Sequence, residues 1–267
     1  MTSPSSAPSA PLRVERRDGA LILTLDRPDR ANALSRELIG AIGDAARAAA
    51  SDDSVRAIVV TGAGEKVFCA GADLKERQGL SRDDVRAVVR FYRSEFGALD
   101  RSPKPVVAAL NGLALGGGLE LALMCDLRIA APHAQLGLPE TSLAIIPGAG
   151  GTQKLPRIVG EARAKELILL GRRLTADEAL SWGLVNRVTA AGANVVDEAL
   201  GWLAPILRGA PIAQAAALEA IDAGLDADLA TGMQLEVLAY ERTLVSADRD
   251  EALRAFAEKR APKYEGR

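Results

Sequence analysis

The chain has 267 residues, 48% hydrophobic and only 3% aromatic, so its core must be large and aliphatic. A formal net charge of −2 gives no global attraction to nucleic acid or to an anionic membrane. A single histidine, His133, and two cysteines, Cys69 and Cys125, exclude His-based metal clusters and a disulfide framework, point to a reducing, cytoplasmic setting, and leave acid–base chemistry mainly to carboxylates.

Residues 1–11 are rich in Ser, Pro and Ala and lack the arginines or apolar stretch of a targeting peptide, so they read as a disordered tail. Leu12 to Arg17 and Ala20 to Leu25 flank Asp18-Gly19, a two-residue hairpin signal. Asp26-Arg27-Pro28 ends the second strand. A helix follows from Ser35 to about Ala50, with Leu34, Leu38, Ile42 and Ala45 at helical spacing. Ala57 to Thr61 is a short apolar strand closed by Gly62-Ala63-Gly64. In residues 67–75, Val-Phe-Cys-Ala-Gly-Ala-Asp-Leu-Lys, small residues around Gly71 would let a ligand reach the backbone. The plainer reading is a strand-to-helix turn with Asp73 as the cap. A helix is expected over Arg82 to Leu99, and Pro103 and Pro105 introduce a buried strand.

Residues 111–126 read Asn-Gly-Leu-Ala-Leu-Gly-Gly-Gly-Leu-Glu-Leu-Ala-Leu-Met-Cys-Asp. The order implies strand, turn, and the start of a buried helix lined by Gly116, Gly117 and Gly118. The first N–H groups of a helix lack intrahelical partners and carry the positive end of its dipole, so this start can hold a developing negative charge. Glu120 stands among Leu119, Leu121, Ala122 and Leu123. An acid there is either a first-turn dipole residue or a functional group, since a buried carboxylate is costly unless paired or used. Val106 to Cys125 has the length of a membrane span, but Asn111, Glu120 and the glycines argue for a buried strand and helix.

Two short strands, 126–130 and 134–137, are expected around an exposed Pro132-His133 turn. Glu140 comes directly after a strand, and Gly148 to Gly151 form a flexible loop that matches neither a dinucleotide fingerprint nor a P-loop. Helices are expected over 161–171 and 175–182, with Thr175 capping the second, and a last strand over 183–188. From residue 195 onward only helices are expected: 195–208, 211–224, 228–245 and 248–260. The change of pattern divides the chain into an α/β core, 12–194, and a helical region, 195–267.

Three segments in this order and spacing carry a resemblance: Phe68-Cys-Ala-Gly-Ala-Asp-Leu-Lys75, Asn111-Gly-Leu-Ala-Leu-Gly-Gly-Gly-Leu-Glu120, and Pro139-Glu140 followed by Ile146-Pro-Gly-Ala-Gly-Gly-Thr-Gln153. Together they resemble the enoyl-CoA hydratase/isomerase, or crotonase, family from about Leu12 to the end. Within it the chain is most similar to the AU-binding 3-methylglutaconyl-CoA hydratases, through Gly71 to Arg77, Gly112 to Leu123, Leu143 to Pro147, Ala164 to Ile168 and Phe256 to Lys263. The resemblance implies an α/β fold, a crotonase-like spiral of ββα turns, with a C-terminal helical oligomerisation region and a homotrimer or hexamer.

By position, the resemblance implies an oxyanion hole made by the N–H groups of Ala72 and Gly117 and a catalytic pair, Glu120 and Glu140, with Gly148 helping to orient water. It implies coenzyme A contacts along Arg27, Ala31, Ala70, Ala72, Asp73, Leu74, Lys75, Gly116 and Gly117, and from Lys259 to a neighbouring subunit's substrate. The substrate is then an acyl-CoA thioester, and neither metal nor redox cofactor is required. Glu120 is expected to act as base toward water and Glu140 as proton donor to C2. Two neighbouring acids should split their pKa values to fit those roles. An acidic acyl group would need a cation, and Arg77, Arg86, Arg90 and Arg93 are the candidates. RNA binding, attributed to relatives through a lysine-rich helix, is not expected here. Ser35 to Ser51 carries Arg36 and Arg47 against Glu37 and Asp44, with no lysine.

Overall fold

After an opening hairpin, three successive turns of the chain each lay one strand into a large sheet and the next into a small one, then cross back by a helix. The computed structural model describes residues 10–267, so most of the expected tail lies outside the described residues. Pro11, at its end, is buried, and its carbonyl accepts the Asp26 N–H at 2.8 Å. The elements run β1 (Leu12–Arg17), β2 (Ala20–Leu25), α1 (Arg36–Ala50), β3 (Ala57–Gly62), β4 (Val67–Cys69), α2 (Leu74–Arg77), α3 (Arg82–Asp100), β5 (Val106–Leu110), β6 (Leu113–Leu115), α4 (Gly117–Leu123), β7 (Leu127–Ala130) and β8 (Gln135–Gly137). They continue with α5 (Gly151–Val159), α6 (Glu161–Leu170), β9 (Arg173–Thr175), α7 (Ala176–Ser181), β10 (Arg187–Val188), α8 (Val195–Leu207), α9 (Pro211–Leu225), α10 (Leu229–Leu244) and α11 (Ala247–Ala257).

The large sheet has the order β1-β2-β3-β5-β7-β10 and is parallel apart from the β1–β2 hairpin. The small sheet, β4-β6-β8-β9, is parallel except for β9. β2, β3 and β5 are buried at every position and mostly aliphatic because helices cover both faces. Leu23, Ile58, Val60, Val106 and Ala108 point into the main core, while their neighbours Ile22, Ala57, Val59, Val107 and Ala109 point into a second one. That second core is closed by Val195, Ala199, Leu200 and Leu203 of α8, so this first helix of the C-terminal series packs on the sheet. α9 and α10 pack against each other as a hairpin beyond it.

The apolar run Val106 to Cys125 is resolved into β5, β6 and α4, and among the described residues no helix is long and apolar enough to cross a membrane. Arg128 is buried at the end of α4, where its guanidinium donates to the carbonyls of Cys125 (2.6 Å) and Leu184 (2.7 Å). It also reaches the Ala122 carbonyl in the last turn of α4 (3.3 Å) and opposes the negative end of the helix dipole.

β6, α5 and β9 are not anticipated by the sequence pattern. β6 is three apolar residues inside a longer apolar run, which reads as one helix start. α5 begins at Gly151 and contains Pro156, two residues that signal against a helix.

Candidate active site

Three segments converge because each leaves the end of a strand in the small sheet. Cys69 ends β4 two residues before Gly71, Leu115 ends β6 before the glycines, and Gly137 ends β8 three residues before Glu140. The ends of parallel neighbours lie side by side, so loops far apart in sequence meet at one edge, where open α/β sheets place their ligands.

Here they enclose a cavity of about 230 Å³. Gly71, Ala72, Gly116, Gly117, Glu120, Glu140 and Gly148 all line it. The N–H groups of Ala72 and Gly117 are neighbours: a Cβ built on Gly117 would stand 3.8 Å from Ala72 N, and one on Gly71 would stand 3.4 Å from Gly117 N. Leu34 and Ala72 form a one-residue parallel bridge, in which the Leu34 N–H donates to Gly71 O (2.8 Å) and the Asp73 N–H to Leu34 O (3.2 Å). A parallel bridge of this kind uses the amides flanking Ala72 and turns its own N–H the other way. The Gly117 N–H, first in α4, has no intrahelical acceptor.

The two carboxylates have unlike surroundings. Glu120 Oε1 accepts from the N–H groups of Ala149 and Gly151, both at 2.8 Å. Burial pushes its pKa up and these two bonds pull it back. Glu140 sits in a short 3-10 turn, Glu140–Leu143, and its Oε2 is buried with no hydrogen-bond partner among the described residues. Burial first, and then the charge of Glu120, push Glu140 up to about 7. Gly116, at φ +53°, leaves the room this carboxyl occupies, since a Cβ there would lie 3.1 Å from Glu140 Oε1. One acid supported by donors, one unsupported and readily protonated, and two free N–H groups now share one space.

Residues 15–267 match the enoyl-CoA hydratase/isomerase family. The chain belongs to this family. It is 51% identical to a Bacillus subtilis (strain 168) protein that carries the provisional name enoyl-CoA hydratase/isomerase YngF, over 92% of this chain and 94% of that one. It is 44% identical to the mitochondrial methylglutaconyl-CoA hydratase of Mus musculus, over 94% of this chain and 81% of that one. The crystal structure of enoyl-CoA hydratase from Bacillus anthracis superposes with a TM-score of 0.93 at 46% identity, covering 96% of this chain and all of the other (100%). The ββα spiral is thus the fold of this family member, and it is an enzyme of the hydratase type.

The remaining sequence-selected residues divide between lining and support. Ala70 and Leu74 line the cavity. Asp73 caps α2 by accepting the Lys75 N–H at 3.1 Å and also pairs with Arg27 at 2.8 Å, so the cap reading was correct and incomplete. Ala31 adopts the left-handed conformation at φ +51°, and its carbonyl accepts the Ala70 N–H. Lys75 is exposed, and Lys259 is exposed beyond the end of α11. Of the four candidate arginines only Arg77 lines the cavity, with its guanidinium 5.6 Å from the Tyr92 ring centre. Arg86 pairs with Asp83 at 2.6 Å on the outer side of α3, and Arg90 is exposed beside it. Arg93 is exposed too and reaches Glu120 only through its charge. Helical spacing kept these three together without saying which way they face. His133 lies in the exposed turn, its Nε2 2.7 Å from Glu65 O.

Sequence reasoning missed the groups that hold Glu120, the amides of Ala149 and Gly151. It also missed the part of the apolar wall made by Leu143, Ile145 and Ile146; the rest of that wall, Val85, Val89 and Tyr92, falls within residues 77–99, the stretch after the Gly71 segment from which a pocket wall is expected. The Gly148-Ala-Gly-Gly151 run was the available signal for a backbone cradle.

Proposed function

We propose that the protein adds water across the double bond of a 2-enoyl-CoA thioester, or removes it in reverse. The observation that supports this reading is the pairing of two differently supported carboxylates with two free N–H groups around one cavity. Water attack at C3 drives charge onto the thioester oxygen, where the Ala72 and Gly117 amides receive it. Loss of one such donor typically costs about 2.7–4 kcal/mol of barrier. Glu120, with two amide donors on one oxygen, serves as the base toward water. Glu140, held toward its neutral form, gives the proton to C2. Each is expected to contribute on the order of 10²–10⁴-fold. Gly148, on the cavity wall, is suited to orient the water through its backbone. The steps form a C–O bond at C3, break the C2–C3 π bond and move protons with no net change of oxidation state, so coenzyme A enters as part of the substrate and no redox group is called for.

Within this class we favour a short, branched, acidic acyl group, as in 3-methylglutaconyl-CoA, hydrated to 3-hydroxy-3-methylglutaryl-CoA. Arg77 is the one arginine on the cavity wall and can meet a carboxylate with a two-pronged contact. The aliphatic walls favour the second reading, a general short-chain enoyl-CoA hydratase. A side-by-side comparison of 3-methylglutaconyl-CoA with crotonyl-CoA tests the choice. A higher kcat/KM for the acidic thioester, narrowed by Arg77→Met, supports the first reading. Equal or reversed preference supports the second.

A further inference from the structure

Ala72 presents its N–H from a bridge only one residue long. Two backbone bonds hold it, and no regular strand continues on either side. Such a bridge is a weak mount for a donor whose position must be fixed before reaction.

The Arg27 guanidinium spans this bridge. One of its nitrogens donates to the carbonyl of Ala33, next to Leu34 on one side. The other donates to Asp73 Oδ2 at 2.8 Å, next to Ala72 on the opposite side. The remaining carboxylate oxygen of Asp73 accepts the Lys75 N–H, which fixes the start of α2. Arg27 is itself anchored, because its own N–H donates to Asn32 Oδ1 at 3.1 Å and its carbonyl accepts the Asn32 N–H at 2.9 Å. Tyr92 adds its hydroxyl to Leu34 O at 3.1 Å. The Arg27 and Asp73 side chains are only 20% and 10% exposed, so solvent screens the pair weakly. Neither lines the cavity.

We infer that Arg27 and Asp73 are positioning residues, an ionic staple across the Leu34–Ala72 bridge that aims the Ala72 N–H at the thioester oxygen. This rests on the oxyanion reading above, and it gives Arg27 a task other than touching coenzyme A. Arginine is needed because its planar fork reaches two acceptors in fixed directions, whereas a lysine ammonium is a single point charge on a flexible stem.

The test uses the full-length protein and a cinnamoyl-CoA thioester bearing a para-dimethylamino group. Its absorption moves to the red when donors polarise the carbonyl. Asp73→Asn and Arg27→Lys are compared with the unaltered protein for this shift, for kcat and KM, and for affinity toward free coenzyme A. The staple predicts a smaller red shift and a kcat lowered about 10–100-fold, part of the 10²–10³ that removing a donor outright costs. KM and coenzyme A affinity should stay within about twofold, as expected when the lost interaction belongs to the transition state. If Asp73→Asn does not fold, Arg27→Lys carries the same test, because it keeps the charge and loses the second prong. A full red shift in folded variants, or a loss confined to coenzyme A affinity, overturns the staple. No red shift in the unaltered protein overturns the oxyanion hole itself, and the staple with it.

Discussion

Glu140 carries the clearest pH signature of the molecule. Its pKa is raised from an ordinary 4.5 to about 7, so the folded protein binds this proton more tightly than the unfolded chain does. A buried carboxyl of this kind costs nothing below the ordinary value, costs progressively more as pH climbs from 4.5 toward 7, and adds no further cost above that. Glu140→Gln is therefore expected to raise Tm at pH 8 and to leave it nearly unchanged at pH 4, a difference readable by calorimetry. The same substitution should lower hydration kcat by about 10²–10⁴-fold. In the unaltered enzyme, hydration and dehydration should both fall as pH rises through about 7, because each direction needs one proton shared by the two acids and the reaction itself takes up none. A pH profile flat between 6 and 8 in both directions would count against Glu140 as the proton carrier. Both acids stood out in the sequence, Glu120 by its apolar neighbours and Glu140 through the family resemblance. The split expected between them has a source the sequence did not show, the amides of Ala149 and Gly151, because a backbone donor leaves no mark in a side-chain pattern.

At the scale of the element, the short strands of the small sheet do the placing. Gly116, Gly117 and Gly118 are identical letters in the sequence and have separate tasks in the fold. Gly116 makes room for the Glu140 carboxyl, Gly117 offers its N–H, and Gly118 lets α4 sit on the end of β4. A Cβ on Gly118 would lie 2.2 Å from the Cys69 carbonyl oxygen, a backbone atom that cannot swing aside. Gly118→Ala is thus expected to lower stability by about 1–3 kcal/mol, the usual cost of overpacking, measurable in urea. It should also lower kcat, because pushing α4 off β4 moves the Gly117 N–H relative to Ala72. Unchanged stability would mean that α4 can shift without strain. The long elements were legible because fifteen or nineteen residues, as in α1 and α3, repeat an apolar face several times. β6 and β9 have three residues each, too few for any period to be seen, yet β6 leads directly into the glycine segment that lines the cavity.

The whole molecule presents two surfaces whose predictions differ. α1, the helix on which RNA binding is not expected, has both its arginines engaged. Arg36 lies 5.3 Å from the Phe91 ring centre, and Arg47 pairs with Asp44 (2.7 Å) and Glu95 (2.6 Å). No free positive stripe is left on it, so a gel-shift with AU-rich RNA at physiological salt should show no salt-sensitive complex. The helices after α8 are the opposite case. Leu229, Val245 and Phe256 are 81%, 87% and 87% exposed, and Ile221, Leu225, Met233 and Leu238 add to the same region. The apolar repeat along these helices was legible in the sequence. Which part of it faces outward was not, because burial between α9 and α10 and burial against another chain select the same residue types.

Large apolar side chains left exposed in this number along the C-terminal helices mark a surface meant to be covered. Burying each of these side chains is worth roughly 1.5–3 kcal/mol, and a handful of them offsets the cost of bringing chains together. We therefore expect a homotrimer, or a hexamer built from two, at micromolar concentration. Light scattering decides between this and a monomer. Leu229→Glu together with Phe256→Glu places charges in the covered region and should shift the assembly toward monomers, while the single-chain core, whose residues lie elsewhere, keeps its circular dichroism. A stable monomer in the unaltered protein, or a double variant with unchanged mass, would leave this apolar face without the role proposed for it.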